Sequence, residues 1–404
     1  MNTKGFSKVP FDWEHRKKWM HLPFPMEEYE DRISRLREAM KESGLQCLLI
    51  YGGPGRAEGD VRYISNFPTI IGQTLAVLPI EGELMLTTNS VMHSEPMHSE
   101  IQKCWIKDVR VAHLPGTVRD PESIADHVSN FLNERGLANE NAGLVGERFF
   151  PAHLYNDIKE KLPKLTLESG HLPYYTVKSR KSSRELDLMR DACRMTSLGL
   201  EAAMEIAEPG ISELQMSGAA HQAMTAAGAE IVTFMAMVGG PRSGHKHVTP
   251  SPRKLEDGDM IFMDMGISYH GYNTDCCRSM VAGTAGAKQK EILETALEME
   301  ESVIAAAGPG VKICDLQKIA KDIADRAGYG EYHCTTGFGH GIGTNLAEMP
   351  VLFEGNEATL EAGNTFALEP MIVIEGLGTG CFEDIVAITE TGSEVLSPAR
   401  KRTW

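Results

Sequence analysis

MIFMDMGISYHGYNTDCCRS, residues Met260 to Ser279, reads as two short apolar strands around a Tyr-His-Gly-Tyr turn. Asp264 falls on the first strand and Asp275 on the second. Strand side chains alternate with period two, so in the registers such a hairpin favours, both carboxylates point to one face. Two carboxylates on one face repel each other unless a proton or a metal ion sits between them.

Three more donors follow. His340 lies in Gly337-Phe-Gly-His-Gly-Ile-Gly343, where glycines let the backbone come close and leave the imidazole unobstructed. Glu369 sits in Thr365-Phe-Ala-Leu-Glu-Pro-Met371 and Glu383 in Cys381-Phe-Glu-Asp-Ile-Val386. Those two segments are strand-like, with the loop Glu375 to Gly380 between them, and an even spacing separates the glutamates. A second hairpin therefore repeats the logic of the first. Four carboxylates and one imidazole suit Mn(II), Fe(II), Co(II) or Zn(II), and carboxylates bridge two such ions.

Working outward, the 404-residue chain is long enough for two domains, and its 42% hydrophobic, 24% charged composition is that of a soluble globular protein. A net charge of -16 argues against a non-specific nucleic-acid binder and gives no attraction to anionic membranes. No apolar run approaches the ~20 residues that span a bilayer. The opening stretch MNTKGFSKVPFDWEHRKKW has no signal-peptide core. Eight cysteines without CxxC spacing read as reduced thiols of a cytoplasmic protein. Cys276 and Cys277, adjacent on a strand, face opposite ways and do not make a soft metal site.

In chain order, residues 1–25 read as a surface arm. A helix over Met26 to Ser43 places Tyr29, Ile33, Leu36 and Met40 on one face, and Cys47 to Tyr51 reads as a buried strand. A Gly-rich bend, the segment Val61 to Phe67 and strands at Thr74–Pro79 and Glu83–Thr87 come next. Helices over Glu122–Gly136 and His153–Leu162 flank a short strand at Ala142–Val145. This alternation predicts an α/β N-terminal domain over residues 1–177 and a second domain over 178–404. Ser183 is positioned to cap a helix running from Arg184 or Glu185 to Ile206, with Leu186, Met189, Ala192, Cys193, Ala203 and Ile206 inward. The stop at Glu208-Pro-Gly210 has an echo at Gly308-Pro-Gly310, each between two helices. That echo predicts a duplicated half-domain, with a site where the halves join.

With these motifs assembled, the chain resembles the metallopeptidases that include methionine aminopeptidase, Xaa-Pro aminopeptidase and prolidase. Asp264 and Asp275 stand in a D-x-G-x8-D pattern, His340 in GHGIG, Glu369 in LEP and Glu383 in ED. Val61-Arg-Tyr-Ile-Ser-Asn-Phe67 is similar to an N-domain signature, and Lys181-Ser-Ser-Arg-Glu185 to the start of the catalytic domain. The resemblance implies the two-domain branch of prolidase, creatinase and ectoine hydrolase, with an α+β "pita-bread" catalytic domain built on a pseudo-twofold. It implies two divalent ions, with Asp264 on one, His340 and Glu369 on the other, and Asp275 and Glu383 bridging. Glu369 then also shuttles a proton. His247 corresponds to a histidine that stabilises the transition state, with His245 its rival. The family also implies a homodimer, in which Arg56 and Arg62 are candidates to reach substrate; Glu348 is a further candidate contact.

Three departures bear on substrate. Where the peptidases usually show His-Glu-x-Pro, this chain has Ala347-Glu-Met-Pro350; Cys381 replaces an arginine two residues before the last glutamate; and Thr336 replaces a histidine of aminopeptidase P. An intact metal set beside an altered peptide-positioning shell implies cleavage of a C–N bond in a small or Xaa-Pro-like substrate. The alternatives are a lyase acting on a small carboxylated compound, as in the dimethylsulfoniopropionate lyases, and a non-catalytic binding protein.

Overall fold

The computed structural model describes residues 13–54, 58–69, 71–89, 91–92, 95–96, 103–112, 122–334 and 337–401. The chain divides into two compact units, Met1–Lys178 and Ser179–Trp404. Arg56, Thr336 and residues 1–12 of the N-terminal arm lie outside the described residues.

The first unit is a six-stranded mixed sheet with helices on both faces. From edge to edge its strands are Asp108–Val111, Met85–Thr88, Thr74–Pro79, Cys47–Gly52, Asn141–Val145 and Thr166–Ser169. Along Cys47–Gly52 every side chain is buried, because alternate residues enter two different cores. Leu48 and Ile50 pack with Ile33, Leu36 and Met40 of the Met26–Glu42 helix. Cys47, Leu49 and Tyr51 pack instead with the Ile124–Glu134 and Ala152–Lys161 helices, through Val128, Phe131 and Ile158. The segment around Val61 is a short helix, Gly59–Ser65, ended by Asn66 in the left-handed region at φ 59°.

The second unit carries the predicted duplication, visible in its hydrogen bonds. Gly210 N–H donates to Leu255 O at 2.8 Å, and Gly310 N–H donates to Leu360 O at 2.8 Å. Leu255 N–H returns to Ile211 O at 2.8 Å, as Leu360 N–H returns to Val311 O at 2.9 Å. Each of these turns opens a 14-residue helix, Glu213–Ala226 in one half and Ile313–Arg326 in the other. Each is preceded by a longer helix, Ser183–Glu205 and Ala287–Ala306. The first long helix packs on the Met260–Tyr269 strand and the second on Gly378–Ile388. The cap of the first is Ser182, not Ser183: its hydroxyl accepts from Glu185 N–H while Glu185 returns to Ser182 N–H. Along this helix Leu188 is buried, whereas Leu186 and Ile206 are half-buried.

Between the helix pairs lies a ten-stranded sheet. Gly378–Ile388 runs through its middle, flanked by Cys276–Val281 on one side and Thr365–Leu368 on the other. Met260–Tyr269 lies beyond Cys276–Val281, and Gly339–Gly341 beyond Thr365–Leu368. On the central strand Phe382 and Val386 enter the core beneath the second helix pair, so Glu383 between them must face the other way. Among the described residues no helix is long and apolar enough to cross a membrane.

Candidate metal centre

The site is built by register. His270 and Gly271 have φ of 48° and 85°, the two positive values that a tight hairpin turn requires. The turn sets Asp264 opposite Cys277, so Asp275, two residues before Cys277, shares the face of Asp264. Cys277 is in turn opposite Glu383 on the central strand. Ile385, two residues beyond Glu383, faces Ala367, and Ala367 faces His340. Glu369, two residues beyond Ala367, follows on the same side at the break before Pro370, where the missing N–H interrupts the strand. One face of one sheet thus carries all five predicted donors.

Three of the five converge closely. Single donor atoms of Asp275, His340 and Glu383 lie within 4.8 Å of one another. His340 Nε2 is 3.4 Å from Asp275 Oδ2, and its Nδ1 is 3.1 Å from Gly341 O. Donation from Nδ1 to that carbonyl fixes the tautomer that leaves Nε2 free to act as a ligand. Asp264, Asp275 and Glu383 are only 4%, 7% and 2% exposed. Among the described residues the Oδ1 atoms of Asp264 and Asp275 are buried and accept no hydrogen bond.

So much buried negative charge distorts the titration of four of the five donors. Burial, then the charges of Asp275 and Glu369, pushes Asp264 well above the usual carboxylate range. Glu383 is raised in the same way by burial and by Asp275 and Asp264. Burial and Asp275 lift Glu369 to about 7. Burial opposes the charge on His340, but its contact with Asp275 prevails and raises it to about 9. Buried oxygens without donors, hard carboxylates and one oriented imidazole are what a pair of divalent cations neutralises, so the donor set fits such ions.

His247 Nε2 lies 3.6 Å from Asp264 Oδ2, although the side chain is 58% exposed. Its backbone is left-handed at φ 62°, a conformation that costs a non-glycine residue of order 1 kcal/mol and is held only where surroundings impose it. His245 is exposed at the end of the Gly240–Gly244 turn, and its ring makes no hydrogen bond among the described residues. Two substrate candidates are occupied elsewhere. The Arg62 guanidinium is buried in the first unit, 3.3 Å from Glu58. The Glu348 carboxylate is buried against Lys181 Nζ at 3.0 Å and accepts from Asn345 N–H at 2.8 Å.

Sequence reasoning missed Lys246 and the apolar wall. Lys246 is half-buried between the exposed His245 and His247, and its Nζ reaches Cys334 Sγ at 3.7 Å. Its charge also draws the Glu369 titration downward. Cys334 packs on a cluster of Ala236, Val238, Phe262, Cys277, Met371 and Cys381, which lies beside the carboxylates. The His-Lys-His run was visible in the sequence.

Comparison with known proteins places this geometry. Residues 187–390 match metallopeptidase family M24, and residues 32–176 match the creatinase/prolidase N-terminal domain. An Xaa-Pro dipeptidase of Pyrococcus furiosus is 33% identical over 222 residues, which are 55% of this chain and 64% of that enzyme. The match to the Pyrococcus horikoshii enzyme spans 63% of its length, so the alignments cover somewhat under two thirds of these relatives. An uncharacterized peptidase of Staphylococcus epidermidis is 30% identical over 307 residues, 74% of this chain and 84% of that protein. Among solved structures, the prolidase of P. horikoshii superposes with a TM-score of 0.77 at 25% identity, covering 92% of this chain and 99% of that one. The X-Pro aminopeptidase of Thermotoga maritima shares the fold with a TM-score of 0.80 at 24% identity, covering 92% and 99%.

Proposed function

This chain belongs to metallopeptidase family M24 and carries a creatinase/prolidase N-terminal domain; from that membership we propose that it is a metal-dependent hydrolase of short peptides, acting on Xaa-Pro-like dipeptides. The observation that carries the reading is the five-donor set on one sheet face, with buried Asp264 and Asp275 oxygens that accept no hydrogen bond among the described residues. Asp264, Asp275, His340, Glu369 and Glu383 would hold two divalent ions, manganese first among Mn(II), Fe(II), Co(II) and Zn(II). Such ions polarise a carbonyl and acidify water at neutral pH.

The protein's own groups supply the rest. Glu369, at the strand break on the donor face, would take a proton and return it to the leaving amine. The exposed ring of His247, tethered beside Asp264, is placed to donate to an oxygen that gains charge. Retention of all five donors speaks against a non-catalytic protein on this fold, and the peptidase relatives favour hydrolysis over a lyase. We place the protein in the cytoplasm on the strength of its eight free cysteines, and expect a second copy of the chain as its partner.

The test is proline release from Ala-Pro and Met-Pro by protein loaded in turn with each of the four metals. Turnover with at least one metal is the expected result. No turnover with any of them, in protein that has taken up metal, overturns the proposal.

A further inference from the structure

Cys381 gives the wall beside Glu383 a sulfur and no charge, and its neighbours Cys277, Met371 and Phe262 are likewise neutral. A substrate with a charged end must find its partner elsewhere. The four carboxylates carry four negative charges, and two divalent ions match them. A further cation near this face is then left over for something that binds.

Lys246 is that cation. Its side chain turns inward while His245 and His247 stay exposed. Its amine contacts Cys334 Sγ at 3.7 Å, at the border of the apolar cluster that includes Cys277 and Cys381. Among the described residues it has no carboxylate within ion-pair distance, and a thiol is a weak acceptor for an ammonium group. A compact, mobile ammonium beside an apolar wall fits a carboxylate attached to a small apolar body.

We propose that Lys246 is the specificity-determining residue that holds the free carboxylate of the substrate, selecting dipeptides over longer or amidated peptides. The inference rests on the dipeptidase reading above and supplies the anchor that Cys381 does not. A charge-assisted hydrogen bond of this kind corresponds to a preference of about 10- to 100-fold for the acid over its neutral amide.

The experiment uses metal-loaded wild type, Lys246→Met and Lys246→Arg, each checked for thermal unfolding. Ala-Pro is compared with Ala-Pro amide by kcat and KM, and L-proline with L-prolinamide by calorimetric binding. Wild type should prefer both acids. Lys246→Met should lose the preference through KM with kcat nearly kept, and Lys246→Arg should retain most of it. An unchanged acid-to-amide ratio and unchanged proline affinity in Lys246→Met overturn the proposal. If wild type cleaves neither peptide, the hydrolase reading fails, while proline binding still decides on Lys246: loss in Lys246→Met supports the role, and no binding by wild type overturns it.

Discussion

Asp264 and Glu369 occupy equivalent positions in the two halves of the catalytic unit. They are separated by the same offset as Leu255 and Leu360, whose hydrogen bonds to the helix-opening turns repeat one another. Gly258 and Gly363 are related in the same way, donating to Ala282 O and Ile388 O at 2.8 Å each. The duplication has therefore placed one carboxylate from each half on a common sheet face. Asp264 lies within an unbroken strand, whereas Glu369 stands at the break before Pro370.

Five donors exceed what one ion of this type needs, so the purified protein should take up close to two divalent ions per chain. Asp275→Asn should lose more metal than Asp259→Asn, because the Asp259 carboxylate is engaged by Arg253 at 2.6 Å, apart from the donor set. Elemental analysis after loading with Mn(II), Fe(II), Co(II) or Zn(II) reads this directly. Wild type that retains none of them would falsify the metal assignment.

His247→Ala should lower kcat by roughly 10²-fold or more, the scale of removing one donor to a charged transition state. Metal content should stay near the wild-type value, because His247 meets the set at Asp264 Oδ2, 3.6 Å away, as a neighbour and not as one of the five donors. Measuring both on one preparation separates the roles. A variant that loses metal along with activity makes His247 a ligand.

Glu348 and Lys181 form a pair with side chains 0% and 1% exposed, which predicts stability and not substrate affinity. Removing one partner from such a pair strands the other and typically costs about 3–5 kcal/mol. Glu348→Ala should unfold at clearly lower denaturant concentration while its KM, measured where it remains folded, is close to wild type. A changed KM at unchanged stability returns Glu348 to the substrate site.

What was legible in the sequence was whatever obeys period two. Asp264 and Glu383 sit within strands where alternation decides the face, Asp275 lies in the short break just before the Cys276–Val281 strand, and His340 is marked by its glycines. The duplication was legible because its turns need Pro-Gly at matched places. That Arg62 and Glu348 are buried and paired was not legible, because a charge beside a motif carries no mark of either. Lys246 was missed because its contact, Cys334, lies 88 residues away in the chain and leaves no local pattern. The Asp108–Val111 strand escaped notice because it is half-buried throughout and shows no apolar alternation.

The crowding of carboxylates sets how the metal-stripped protein responds to pH. The Glu369 carboxyl titrates at about 7 in the folded protein and near its ordinary 4.5 in the unfolded chain. The folded state therefore binds more protons across that window, and stability falls as pH rises through it. His340, raised from 6.5 to about 9, acts in the same direction: its stabilisation is complete below 6.5 and lost as pH climbs through 9. Glu300, lifted from 4.5 to about 8 by burial and by Asp384, adds a third group of the same sign. A tenfold difference in proton affinity between the folded and unfolded chain corresponds to about 1.4 kcal/mol. Because the groups repel or attract one another, their joint contribution is smaller than a simple sum. Chelator-treated protein should thus unfold at progressively lower temperature from pH 5 to pH 9. Protein saturated with divalent ions should show a much flatter profile, because the cations favour the deprotonated carboxylates and bind only the folded site. Parallel melting curves in matched buffers test this. A metal-free protein that gains stability over the same range contradicts the assignment of Glu369 and His340 to one crowded site.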